Sequence, residues 1–290
     1  MQRKTIQATI YKKVKSWVGS LPEDLQKMRP EDRIIISGGA IASMFLGEEV
    51  NDYDIYFTDM EIAYAIADYY ARLPSMNREV YVGKHTGHYD DEDIPLFEPR
   101  SSYADRVHLF IPDGGIFKPA GESLWSFRPT VFTDNAITLK DDVQLILRFV
   151  GDPEYIHSNF DFVHCTNYWR RGELITNAKA LESLLSRRLY YIGSKYPFAS
   201  IVRTRKFLKR GWNISAGEYL KMAFQVSELD MRDPQVLAEQ LTGVDLAYFL
   251  GFIQRMTTDV NLVEDSFGYD YLSTIIDEVF EGQTFVHEED

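Results

Sequence analysis

The spacing of apolar and polar positions changes near residue 167. From Arg33 to Cys165 the chain carries short apolar or alternating runs: RIIIS (33–37), DIYF (54–57), EVYVG (79–83), VHLFI (107–111), NAITL (135–139), VQLILRF (143–149) and DFVHC (161–165). Runs of this length, punctuated by Gly, Asp, Asn and Pro, predict strands. Residues 1–29 have helical spacing that stops at Pro30, and MEIAYAIADYYARL (60–73) predicts a helix with Thr58 or Asp59 as its N-cap. The stretch 84–105, rich in Asp, Gly, Pro, His and Ser, reads as a long loop. After Asn167 the period turns helical: TNAKALESLLSRRLYYIG, RTRKFLKRG, AGEYLKMAFQVSEL, PQVLAEQL, DLAYFLGFIQRM and YDYLSTIIDEVF. The expected fold is α+β, with a strand-rich domain over residues 1–166 (an N-terminal helix included) and an all-helical domain over 167–290.

Composition narrows the class. With 290 residues and 45% hydrophobic, the chain can bury a sizeable core. No run approaches the ~18 apolar residues of a membrane span, so no membrane partner is expected. The N-terminal MQRKTIQATIYKKVKSW lacks the apolar core of a signal peptide, and one cysteine, Cys165, excludes an intrachain disulfide; both fit a cytoplasmic protein. The net charge of −13 argues against a non-specific nucleic-acid coat. Yet Tyr168–Arg210 holds eleven Lys or Arg against two acids, Glu173 and Glu182, a local charge of +9 in a chain whose remainder carries −22.

The chemistry concentrates in ISGGAIASMFLGEEVNDYDIYF (36–57), which reads strand, Gly-Gly turn, helix, turn, strand. Gly38 and Gly39 let backbone come close to a ligand, and the helix start after them offers unpaired N–H groups to a phosphate. A tight strand-to-helix turn is the plainer explanation of the glycines alone. In NDYDIYF, alternation puts Tyr53, Ile55 and Phe57 on one face and Asp52, Asp54 and Tyr56 on the other. Asp52 and Asp54 are then neighbours roughly 7 Å apart at Cα. Asp is disfavoured in strands and like charges repel, so the pair predicts a cation. The histidines His85, His88, His108, His157 and His164 read as packing or surface residues.

Gly38-Gly39 followed one helix later by Asp52-x-Asp54 resembles the nucleotidyltransferase core of the DNA polymerase β superfamily. It is most similar to the head domains of CCA-adding enzymes and bacterial poly(A) polymerases, and to nucleotidyltransferase-like proteins of bacteriophages. The resemblance implies a mixed β-sheet core with flanking helices, a nucleoside triphosphate near the glycines and two Mg²⁺ ions, or Mn²⁺, on the aspartates. It also implies a third carboxylate on a later strand, for which Asp161 in NFDFVHC is the first candidate and Asp141-Asp142 the second. SIVRTRKFLKRGWNIS (200–215) resembles the Arg-rich helix after that head domain, which implies Arg203, Lys206 and Arg210 on the triphosphate or on acceptor RNA, extended by Asn177, Lys179, Arg187 and Arg188. The sequence departs from the tRNA-type pattern at Ala40-Ile41-Ala42-Ser43, where Arg-Asp is usual, and it has no Glu-Asp-x-x-Arg base-reading motif. The expected reaction is metal-dependent transfer of a nucleoside monophosphate from an NTP to an acceptor hydroxyl. An RNA 3′ end such as that of tRNA, met by the basic segment 168–210, is the favoured acceptor; a protein or a small molecule is the other option. The competing class is a catalytically inactive protein that binds or sequesters a nucleotide, as a phage protein acting against host defence would, or a structural protein with a vestigial core.

Overall fold

A computed structural model describes residues 1–76, 80–89, 95–98, 106–111, 116–119 and 125–230, and beyond these Asp233, Val236 and Gln240. It separates into two compact units, Met1–Ser186 and Arg187–Asp290. Of the expected helices within 234–280, only Val236 and Gln240 are described, both helical; the rest lies outside the described residues.

The first unit opens with helices α1 (Arg3–Ser20) and α2 (Glu23–Lys27), followed by strand β1 (Ile34–Ser37), α3 (Gly39–Leu46), β2 (Tyr53–Phe57) and α4 (Met60–Ala71). Asp59 caps α4 by accepting from the Ile62 N–H, and Gly47, at φ 72°, closes α3. Next come short strands β3 (Tyr81–Val82), β4 (Lys84–Tyr89), β5 (Pro95–Glu98), β6 (Leu109–Phe110) and β7 (Ile116–Phe117). β4 and β5 pair as an antiparallel ribbon within the stretch expected to be a loop. β8 (Pro129–Thr133), β9 (Ala136–Leu139), β10 (Val143–Val150), α5 (Pro153–His157), β11 (Tyr168–Arg170), β12 (Glu173–Ile175) and α6 (Ala178–Ser186) complete the unit.

Eight strands form one mixed sheet in the order β12-β11-β1-β2-β10-β9-β8-β7. β2 and β10 run parallel, and the other pairs are antiparallel. β11 and β12 carry the sheet past residue 167, and the first unit ends at Ser186. One face packs Ile34, Ile36, Ile55, Phe57, Leu145 and Trp169 under α1 (Ile6, Ile10, Trp17) and α4 (Ile62, Ile66, Tyr70). A buried apolar side chain of this size contributes roughly 1.5–3 kcal/mol, so this layer dominates the unit's stability. On the other face Ile35, Tyr56 and Ile156 form a smaller cluster with Ile146, Phe160 and Tyr168. The second face leaves room for polar residues farther along the same strands.

The run DFVHC does not become a strand. Asp161 lies in a bend, and Val163–Cys165 makes a single 3₁₀ turn closed by the Thr166 hydroxyl and N–H on the Val163 carbonyl. The place beside β1 is taken by β11, with Ile36 opposite Trp169 and Ser37 opposite Tyr168.

The described part of the second unit holds β13 (Arg188–Leu189), α7 (Pro197–Lys209), β14 (Asn213–Ile214) and α8 (Ala216–Ser227). β13 and β14 form one short parallel pair, so the unit is helical but not purely so. Gly211, at φ 77°, ends α7 in the left-handed conformation that glycine tolerates, and Trp212 turns back edge-on against Phe207 at 5.7 Å.

Candidate active site

β1 runs apolar to Ser37 and then turns at Gly38, which sits at φ 91° and ψ −147° as the N-cap of α3. A side chain there would be strained, and a Cβ would stand 3.1 Å from Oδ2 of Asp54. The Asp54 carboxylate therefore lies against the start of α3. Gly39 is exposed, and a Cβ on it would meet nothing within 4 Å. The first turn of α3, whose leading N–H groups have no intrahelical acceptor, starts beside open space and a carboxylate.

Alternation holds along β2. Tyr53, Ile55 and Phe57 enter the main core, while Tyr56 joins the opposite cluster. Asp54 shares that opposite face, and Asp52 is exposed just before the strand. Burial pushes the Asp54 carboxyl up to about 8, with the negative charge of Asp52 adding to it. Two neighbouring carboxylates, one of them buried, are a donor set that fits a divalent cation. The close approach at Gly38 keeps that carboxylate uncrowded, since any larger residue would press on its Oδ2.

The turn containing Val163–Cys165 docks on this point. The Cys165 carbonyl accepts from the Gly38 N–H at 3.1 Å and from the Ser37 hydroxyl at 3.1 Å. Ser37 Oγ also contacts the Asn167 carbonyl at 3.0 Å and His157 Nε2 at 2.9 Å. Burial lowers the His157 ring to about 4, with Glu154 opposing, so the ring is neutral at pH 7. A neutral ring protonated at Nε2 donates to Ser37 and leaves the hydroxyl proton for the two carbonyls. His157, wedged against Phe160 and Tyr168, is thus a packing residue that fixes the backbone under Gly38.

The structure brings Gly38, Gly39, Asp52 and Asp54 to one place. Asp161 is buried four residues before Cys165, but among the described residues no three His, Cys, Asp or Glu side chains gather as a metal site. Asp141 and Asp142 serve the turn between β9 and β10. Both have positive φ, Asp141 accepts from the Phe127 N–H at 2.9 Å, and the Asp142 carbonyl accepts from the Tyr53 N–H at 2.7 Å. Arg203, Lys206 and Arg210 lie in the second unit: Arg203 half-buried on α7, Lys206 exposed, and Arg210 exposed at the C-cap. The Arg210 carbonyl accepts from Arg187 at 2.7 Å.

One polar residue of this face escaped the sequence reading. Gln144 in β10 stands in register with Asp54, half-buried, and donates to the Thr138 hydroxyl at 3.2 Å. The available signal was a lone amide in the otherwise apolar run VQLIL.

Comparison with known proteins places the chain. The model of the Gabija anti-defense 2 family protein matches residues 8–187. The chain belongs to that family. The matched region spans β1, the Gly-Gly turn, the aspartate pair and the turn that follows Asp161. A curated member, "Gabija anti-defense 2" of Bacillus phage SPbetaL7, is 23% identical over 248 residues, covering 84% of this chain and 50% of its own. The chain therefore spans about half the length of that relative. Distant likeness extends to a solved tRNA-processing enzyme with CTP (15% identity, 89% of this chain, 64% of that chain, TM-score 0.38). It extends also to the Thermotoga maritima CCA-adding enzyme with tRNA (14%, 84% of this chain, 53% of that chain, 0.37). No helix among the described residues is long and apolar enough to cross a membrane.

Proposed function

We propose that this member of the Gabija anti-defense 2 family is a phage nucleotidyltransferase that counters host defence by moving a nucleoside monophosphate from an NTP to an acceptor hydroxyl. The observation that carries the reading is the Asp54 carboxyl, buried beside an exposed glycine helix start and raised further by the charge of Asp52. Asp52 and Asp54 would hold divalent metal, Mg²⁺ or Mn²⁺. When bound, the metal would withdraw charge from the reacting phosphate. Gly38, Gly39 and the first N–H groups of α3 would take the outer phosphates of the NTP, because a helix start attracts anions. Asp161 would act from its buried bend, either on the acceptor hydroxyl or on the ribose, after a shift that brings it to the pair. Arg203, Lys206 and Arg210 would neutralise phosphate charge, and the basic segment 168–210 favours an RNA end over a protein acceptor. The site of action would be the host cytoplasm.

A second reading has an observation of its own. Asp161 is not grouped with the aspartate pair, as expected of a pocket that captures a nucleotide or nucleotide signal without turnover. The two readings separate when the protein is incubated with each α-labelled NTP, Mg²⁺, total host RNA and host protein. Transfer predicts label in a macromolecule, lost in Asp54→Asn. Retention of unmodified nucleotide with no labelled product would establish capture instead. Absence of both would sink the site. In Gabija-bearing cells, expression of the chain should restore phage plating and Asp54→Asn should not.

A further inference from the structure

The segment WSFR (125–128) leads into β8 and is tied to the sheet through its backbone. Phe127, buried at φ 57°, donates its N–H to the Asp141 carboxylate at 2.9 Å, and the Arg128 carbonyl accepts from the Lys140 N–H at 2.8 Å. The turn that supplies both contacts also holds the start of β2, since the Asp142 carbonyl accepts from the Tyr53 N–H at 2.7 Å. Tyr53 directly follows Asp52. A short chain of hydrogen bonds thus sets 125–128 at the end of the sheet where β2 begins.

Two side chains of this segment are open to a ligand. Trp125 is 38% exposed, whereas Trp17, Trp169 and Trp212 are buried. Arg128 is half-buried, and its Nε is enclosed without a hydrogen-bond partner. The acids of the neighbouring turn are engaged elsewhere: Asp141 accepts from Phe127, and Asp142 faces Lys13 at 4.0 Å. Among the described residues the Arg128 guanidinium has no ion pair. A partly desolvated cation without an anion is costly, and the planar fork of arginine matches a phosphate. Lys140, exposed on the same turn, adds a second cation. An exposed indole three residues before such an arginine is the combination that single strands use: bases stack on the ring, and the arginine takes backbone phosphate. A duplex fits poorly, because its bases already stack on one another.

We propose that Trp125, Arg128 and Lys140 form a docking surface for a single-stranded polynucleotide. The inference rests on the transferase reading in one respect, that the strand docked there is the RNA acceptor. It gives the first unit an acceptor contact of its own, independent of Arg203, Lys206 and Arg210.

The experiment titrates the full chain, at low salt and without NTP, with an oligoadenylate of roughly eight nucleotides and follows tryptophan fluorescence. Because the other three tryptophans are buried, stacking on Trp125 should quench the emission, and double-stranded RNA should not. Trp125→Phe should abolish the quenching yet keep most of the affinity, read by anisotropy of an end-labelled oligonucleotide. Trp125→Ala should weaken binding about tenfold. Arg128→Gln should make the log–log salt dependence shallower by roughly 0.7, the share of one single-strand phosphate. Arg128→Lys should restore that slope, and it keeps the test open if the glutamine variant is unstable by its melting temperature. Quenching that survives Trp125→Phe, or affinity and salt slope unchanged in both Trp125→Ala and Arg128→Gln, would overturn the surface. If labelled nucleotide still passes to RNA in that case, the transferase reading stands without it. Quenching with the expected variant effects, but no label transfer, would support the surface and count against the transferase.

Discussion

Removing the charge from Asp54 should stabilise the metal-free protein. In the fold this carboxyl holds its proton up to about 8, whereas the unfolded chain releases it near 3.8. Between those values the native state binds more protons than the unfolded state, so stability falls as pH rises. The loss begins near pH 4, is nearly complete at pH 8, and is absent in acid below the unfolded value. At ~1.4 kcal/mol per pH unit, ionising Asp54 at pH 7 would cost roughly 4 kcal/mol with no access to water. Asp54 keeps some exposed surface, so about half of that, ~2 kcal/mol, is the working figure. In a unit of this size ~2 kcal/mol corresponds to roughly 4–8 °C. The assay is thermal unfolding from pH 5 to pH 9 in EDTA. Asp54→Asn should melt 4–8 °C above wild type at pH 8 by the same conversion, and the gap should close toward pH 5. Mg²⁺ should raise the wild type at pH 8 and leave the variant unmoved, because a ligand stabilises only the state that binds it. Equal melting temperatures across the whole range would mean that the carboxylate is not confined, and the charge imbalance behind the site would be gone.

Three other outcomes follow from the same geometry. His157 is held neutral down to about 4 while the unfolded ring titrates near 6.5; its contribution is present above pH 6.5 and is lost as pH falls toward 4, so the acid limb of the stability profile should flatten in His157→Gln. Gly38→Ala should lose about 1–2 kcal/mol to the left-handed backbone and should weaken NTP binding by crowding Asp54, while Gly39→Ala, with open space around it, should fold as wild type; equal NTP affinity in wild type and Gly38→Ala, measured by calorimetry, would reduce the Gly-Gly pair to a turn. If RNA is the acceptor, Arg203→Ala with Arg210→Ala should make the log–log salt dependence of RNA binding shallower by up to roughly 1.4, and RNA binding undetectable at low salt would remove RNA as the acceptor.

What the sequence disclosed depended on how local the cause was. β1, the Gly-Gly turn, α3 and β2 are legible because each is set by neighbours in the chain: apolar runs, a positive-φ glycine, and alternation that sends Asp54 away from Ile55. DFVHC alternates just as convincingly, yet its Cys165 carbonyl is taken by Gly38 and Ser37, more than a hundred residues earlier. No local pattern records that bond. β11 is only Tyr168–Arg170, turned back by Arg171 at φ 49° and Gly172 at φ 83°, too short for periodicity to mark. Gln144 was missed for a related reason: its meaning lies in a parallel register with a strand far away in sequence, and parallel pairing leaves no turn between partners to announce it.

The same distinction explains why charge marks this site better than motif does. Asp-x-Asp is common, and a Gly-Gly turn is commoner still. Together in the fold they place a carboxylate where burial opposes its ionisation, where its nearest charged neighbour is another acid, and where the space beside Gly39 is open. Such a pair does not serve the stability of the fold, since replacing either acid would relieve the repulsion. A bound cation would remove the repulsion, and an anionic phosphate at the helix start would then meet positive charge on both sides. The basic residues of α7 lie in the other unit, and on the proposed reading their part would begin only when a polyanion arrives.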